Sequence, residues 1–130
     1  MFSAAITKIV DNSRRVREAA DRAARRVFAK AAFRIMRDAQ SSVERSAEPS
    51  APGDPPHTRR GQLKRAIRYD ATKDGAVIGP LESMVGVAGE AHEFGGAFRG
   101  QDYPERPFMG PALERDLDNF AGDFTGSIGQ

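Results

Sequence analysis

The chain has 130 residues, 20 Lys+Arg against 18 Asp+Glu, and no cysteine. One domain fits that length, and the missing thiols exclude disulfides, thiolate catalysis and thiolate metal sites. Leu, Ile, Val and Phe supply only 25 residues, about 19%, which borders on disordered compositions, but a net charge of +2 argues instead for a thin core completed by neighbouring subunits.

From about Asn12 to Ser46 there is neither proline nor glycine. Val16, Ala20, Ala23, Val27, Ala31, Ile35, Ala39 and Val43 recur at steps of three and four, which predicts a helix of roughly 50 Å. Asn12 or Ser13 can cap it; Ile6, Ile9 and Val10 share the spacing and allow a start near Ser3. The stripe of small residues would let another backbone approach closely, and Phe28 and Phe33 lie off it. Arg14, Arg15, Arg17, Arg22, Arg25, Arg26, Lys30, Arg34 and Arg37 fill the remaining faces, where some can pair along the helix with Glu18, Asp21 and Asp38.

The prolines of Glu48–Pro56 end that helix and predict a loop over 47–61, ordered or mobile. Arg60–Tyr69 then reads as a short helical turn passing into a strand. Lys73-Asp74-Gly75 is a hairpin turn and Ala76–Gly79 the return strand. Met84–Ala88 is a further strand candidate. Ala91–Gly96 is expected as one helical turn ended by glycine, and Ala97–Asp102 as a mobile connection. In Tyr103–Glu114 three prolines set an extended approach into a C-terminal helix, Pro111 to about Phe120, with Pro111 in its first turn and Leu113, Leu117 and Phe120 on one face. Phe124 and Ile128 suggest a tail, so that 1–11 and 121–130 are candidate docking tails of a single 1–130 domain.

Few residues look chemical. His92-Glu93 invites a metalloprotease reading, but Gly96 stands where the second histidine should be, and His57 lies in the proline loop. Glu90 and Glu93 could form an acid–base pair, though nothing in the sequence suggests a cleft or partner base. Gly86–Gly89 and Gly95-Gly96 lack the setting of a phosphate-binding loop. No catalytic, cofactor-binding or metal-ligating residue is therefore expected. Arg59, Arg60, Lys64, Arg65 and Arg68 form a basic cluster, read as a solvated surface or as a contact for phosphate backbones or another subunit. It lacks interleaved aromatics for stacking on single strands.

Charge is divided along the chain. Residues 1–70 carry 16 Lys+Arg against 8 Asp+Glu, and residues 71–130 carry 4 against 10, so the halves can face different partners. No apolar run approaches a membrane span and the N-terminus lacks a signal-peptide layout, which predicts a cytoplasm-like compartment.

Several motifs in order resemble the neck and tail-completion (head–tail joining) proteins of long-tailed bacteriophages. They are the Ala/Arg-rich helix, Ala51-Pro52-Gly53-Asp54-Pro55-Pro56, Gly61-Gln62-Leu63-Lys64-Arg65-Ala66-Ile67, Val77-Ile78-Gly79-Pro80, His92-Glu93-Phe94-Gly95-Gly96 and Arg106-Pro107-Phe108-Met109-Gly110-Pro111-Ala112-Leu113. Together they cover about residues 16–120, and the last two are the more specific. One departure is Arg60, where the family commonly has threonine before the glycine.

The resemblance implies a structural virion protein without enzymatic activity or cofactor. It would form a homo-oligomeric ring, usually of six subunits, around a channel crossed by DNA. Its partners would be head-closure or connector proteins, a tail tube or tail terminator, and transiently the genome, with no membrane and no small-molecule substrate. Its place would be the neck of the virion, reached from the host cytoplasm. The loop around 49–57 and the connection around 97–103 would be contact arms, and Arg59, Arg60, Lys64, Arg65 and Arg68 would face the channel or an interface.

The expected fold is α+β: a long N-terminal helix against a small antiparallel sheet, with a C-terminal helix packed on that sheet, in a ring-forming subunit. Phe94, Phe108, Met109 and Leu113 are the candidates for holding the core, with Pro107 and Pro111 fixing the path. The alternative function is a sequence-independent DNA-binding accessory protein using the basic helix; an enzyme around His92 and Glu93 comes third.

Overall fold

The structure, a computed structural model, describes residues 2–98 and 100–127, with side chains from Ser13 to Thr125 except Arg99. The architecture is α+β, as the spacing of residues predicts. Helix α1 (Phe2–Ser42) is 41 residues long, so it takes the earlier of its two possible starts and runs about 60 Å. Its stripe is buried from Val27 onward, through Ala31, Ile35 and Ala39 to Val43. Upstream, residues 13–20 are all exposed.

The proline segment is more ordered than a plain loop. Strands β1 (Glu44–Arg45) and β2 (His57–Thr58) pair in parallel across it, which the sequence did not signal. Its tip is tied to the distant motif by Gly53 N–H donating to Glu105 O at 2.8 Å. Gly61, at φ +75°, then admits helix α2 (Gln62–Ala66). It is followed by the expected hairpin of β3 (Ile67–Thr72) and β4 (Gly75–Pro80), in register from Ile67 opposite Pro80 to Thr72 opposite Gly75.

Two expectations fail in the next stretch. Met84–Ala88 is not a strand: it is split between helix α3 (Glu82–Val85) and the start of helix α4 (Ala88–Phe94). Leu81 O accepts the N–H groups of Met84 and Val85 at 3.0 and 3.2 Å, and Gly86 at φ +59° ends the turn. These bonds satisfy the backbone of the short apolar run locally, within its own turn. The expected connection after α4 is likewise structured, as a hairpin of β5 (Gly96–Phe98) and β6 (Gln101–Tyr103).

Helix α5 (Met109–Ser127) extends well past Phe120 and absorbs most of the supposed tail, while Ile128 lies outside the described residues. It packs chiefly on α1 rather than on the hairpin, which corrects the expected layering. The reason is electrostatic as much as apolar. Arg34 holds Asp116 through two bonds of 2.8 and 3.0 Å and also reaches Asp123; Arg115 holds Asp38 at 2.7 Å. Phe28 stacks with Phe120 and meets Phe124 edge-on. The face of α5 that meets α1 is thus Ala112, Asp116, Phe120 and Asp123. Helical geometry turns Leu113 and Leu117 outward, contrary to the expected packing face.

The carboxylates expected to pair along α1 make no ion pair within it among the described residues; instead Asp21 approaches Lys73 of the hairpin and Asp38 binds α5. The core is small: Ile35 and Ala39 of α1, Val43 just after it, Leu63, Ile67, Phe108 and Ala112, with Met36, Ile78, Val85 and Met109 packed against it. Gln40 anchors α1 to the sheet by donating to Ile67 O at 3.2 Å.

Candidate interaction surface

The two most specific motifs of the sequence meet in one joint. Helix α4 ends at Gly95, whose φ of +66° turns the chain sharply. A Cβ there would sit 2.9 Å from Glu105 N and 3.0 Å from Tyr103 O, so the site requires glycine on two counts. The β5–β6 hairpin returns the chain beside α4, where Arg106 N–H donates to His92 O at 2.6 Å. Glu93 then accepts three backbone N–H groups, from Phe108 and Met109 at 2.9 Å and Gly110 at 2.8 Å. These donors open α5, so Glu93 caps that helix from a distant element and places a negative charge at its positive end.

The motif residues differ in what they do. Glu93, Gly95 and Arg106 make the joint, and Pro107 and Pro111 flank the capped turn. Phe108 is fully buried and Met109 packs against the core, as expected. Phe94 and Leu113 are not core residues: they are 72% and 49% exposed. Phe94 is the last residue of α4 and lies about 100° round the helix from Glu93, which carries its ring away from the interior. Of the Glu90–Glu93 pair, Glu93 has both oxygens engaged with backbone donors.

Around the joint lies an open apolar surface. A cleft of about 340 Å³ lies where the end of β4 meets α4, lined by Ile78, Val87, Phe94, Phe108 and Met109 together with Glu82, Glu90 and Glu93. Gly89 makes the close approach here possible, since a Cβ would lie 2.2 Å from Pro80 Cγ. From Met109 in the cleft, Leu113 and Leu117 continue one stripe along α5, the latter 53% exposed. Leu81, Met84 and Val87 are exposed nearby in the chain.

The basic residues form two separate regions. Arg59, Arg60, Lys64, Arg65 and Arg68 are all exposed around α2, where Arg65 donates to Arg60 O at 2.9 Å and Arg45 to Arg59 O at 3.3 Å. The second region is the front of α1, where Arg14, Arg15, Arg17, Arg22, Arg25 and Arg26 make no ion pair among the described residues.

His57 and His92 stand 35 positions apart in the sequence, one in the proline loop and one beside Glu93. The fold instead brings both to a single cavity of about 180 Å³, with Ser46, Ser50, Arg59 and Arg106. Burial, helped by the Arg106 charge, holds the His92 pKa below its ordinary value. Sequence spacing offered no sign of this, because parallel pairing of β1 with β2 and the joint at Arg106 create the proximity. No group of three His, Asp or Glu suited to a metal occurs among the described residues.

Compared with family models, curated proteins and solved structures, the chain matches none.

Proposed function

We propose that this chain is a subunit of a homo-oligomeric ring joining the DNA-filled head of a long-tailed phage to its tail. The observation that carries the reading is the apolar surface left uncovered on a chain with so few large apolar residues. Among the described residues, Val16 on the front of α1, Phe94, and Leu113 and Leu117 of α5 are exposed large apolar side chains. Exposed apolar area of this kind marks association sites. The order of motifs supports the phage assignment, and the Glu93 joint gives its two most specific motifs a shared purpose: setting the direction of α5 and its outward leucines. The loop 46–56 and the β5–β6 hairpin are the arms that would meet axial partners.

Light scattering after size exclusion, followed by negative-stain imaging with connector and tail proteins, tests the proposal. A closed ring that attaches to either supports it. A monomer at tens of micromolar that attaches to neither overturns it.

The arginine-rich front of α1 supports a second reading, a sequence-independent DNA-binding accessory protein. Gel shifts on duplex DNA separate the two. Submicromolar binding that falls steeply with salt favours the second reading.

A further inference from the structure

The cavity that holds both imidazoles has a donor set with no assigned use. Ser50 is only 7% exposed, yet its hydroxyl has no hydrogen-bond partner among the described residues. His92 Nδ1 is likewise buried and unpartnered. Buried polar atoms in folded proteins are nearly always satisfied, so two orphans lining one cavity call for an occupant.

The guanidinium of Arg106 is fixed at the same place. Its Nε and Nη2 donate to Ser50 O at 3.0 and 2.8 Å, which uses two of five N–H donors and leaves three. Arg59 also lines the cavity, and its side chain is exposed and makes no ion pair among the described residues. His57 Nδ1 is 2.7 Å from Glu48 O, and its Nε2 lies 3.8 Å from the exposed carboxylate of Glu44. Glu48 is the one acidic residue of the lining, against two arginines.

A hydroxyl, a fixed guanidinium, a free guanidinium and an imidazole suit a ligand rich in acceptor oxygens. The two arginines disfavour a cation, and planar N–H forks match oxyanions well. We propose that this cavity is a binding site for a small tetrahedral oxyanion of the phosphate class, held by Arg59, Arg106, Ser50 and His92. The anion is either free phosphate or the terminal phosphate of a larger molecule. The proposal does not depend on ring formation.

The test is a titration of the full chain with inorganic phosphate, followed by imidazole and arginine side-chain NMR. Saturable shifts at His92 and Arg106 are expected at millimolar phosphate or below. Arg59→Gln and Ser50→Ala should each weaken binding several-fold. Neither side chain makes a hydrogen bond or ion pair among the described residues, so both variants should stay folded. Arg25→Gln, on the front of α1, should leave the affinity unchanged. Displacement of phosphate by ribose 5-phosphate would identify a phosphomonoester as the source, and no displacement would identify the free ion. The site is overturned if His92 is indifferent to phosphate, leaving a cavity for water alone. An equal loss of affinity in Arg25→Gln would also overturn it, by showing diffuse attraction to a basic surface.

Discussion

Helix α1 carries one apolar pattern over two unlike environments. From Val27 to Val43 the stripe is covered by the β3–β4 hairpin, α5 and Phe108, whereas Val16 at the front is 68% exposed. The residue types hardly differ between the halves, and neither contains a helix breaker. The difference lies in what the rest of the chain can reach: a helix of about 60 Å outruns a domain with so few large apolar residues. Helical periodicity therefore marks an apolar face and says nothing about whether the rest of the chain reaches it.

The comparison can be broken from the covered side. Phe108→Ala should have the largest effect, about 3–5 kcal/mol, because its fully buried ring joins α5 to α1. For a domain with so small a core this approaches complete unfolding, visible in urea titration by circular dichroism. Ile35→Ala should cost about 2–5 kcal/mol by the same measurement.

Glu93→Ala should cost about 2 kcal/mol, since three N–H donors at the start of α5 lose their acceptor together. Glu93→Gln should recover only part of this, because the amide has one acceptor oxygen in place of two. Equal stability of the Ala variant and the parent would show that the cap is dispensable.

The pH dependence has a definite sign. His92 has a folded pKa below its unfolded value near 6.5, so the unfolded chain takes up the proton first. Stability is then complete above that unfolded value and declines as pH falls from it towards the lower folded pKa. His92→Gln should flatten this part of a denaturation profile taken from pH 8 to 5. Further down in pH, Asp123, held below the ordinary carboxylate range by Arg34, adds a second decline with the same sign. A profile level down to pH 5 in the parent would contradict the burial of His92.

The smallest effect sharpens the contrast most. Val16→Asp on the uncovered half should alter the stability of the isolated chain by no more than about 0.5 kcal/mol. If subunits cover that stripe, the same substitution lowers the assembled mass in light scattering. A parent and variant of equal mass would remove the front of α1 from any interface.

Much of the backbone could be read directly from residue order. The long helix, the helical turn leading into β3, the Lys73–Gly75 hairpin, the glycine stop at Gly95 and the proline-led start of α5 all rest on interactions within a few residues. Local sterics and hydrogen bonding decide such features, and they operate wherever the segment is placed. Met84–Ala88 misled for the complementary reason: its apolar residues suit a strand or a short helix, and periodicity over so few positions does not choose between them.

The sequence by itself determined the α+β class, the thin core and the importance of the His92–Gly96 and Arg106–Leu113 segments. Only the tertiary structure decided that Glu93 caps α5, that Phe94 and Leu113 face outward, and that His57 and His92 share a cavity with Ser50 and Arg106. The physical reason is distance along the chain. A cap or cavity assembled from residues 15 to 56 positions apart depends on how helices pack and which charges register them, here Arg34 with Asp116 and Arg115 with Asp38. Neither periodicity nor composition contains that information.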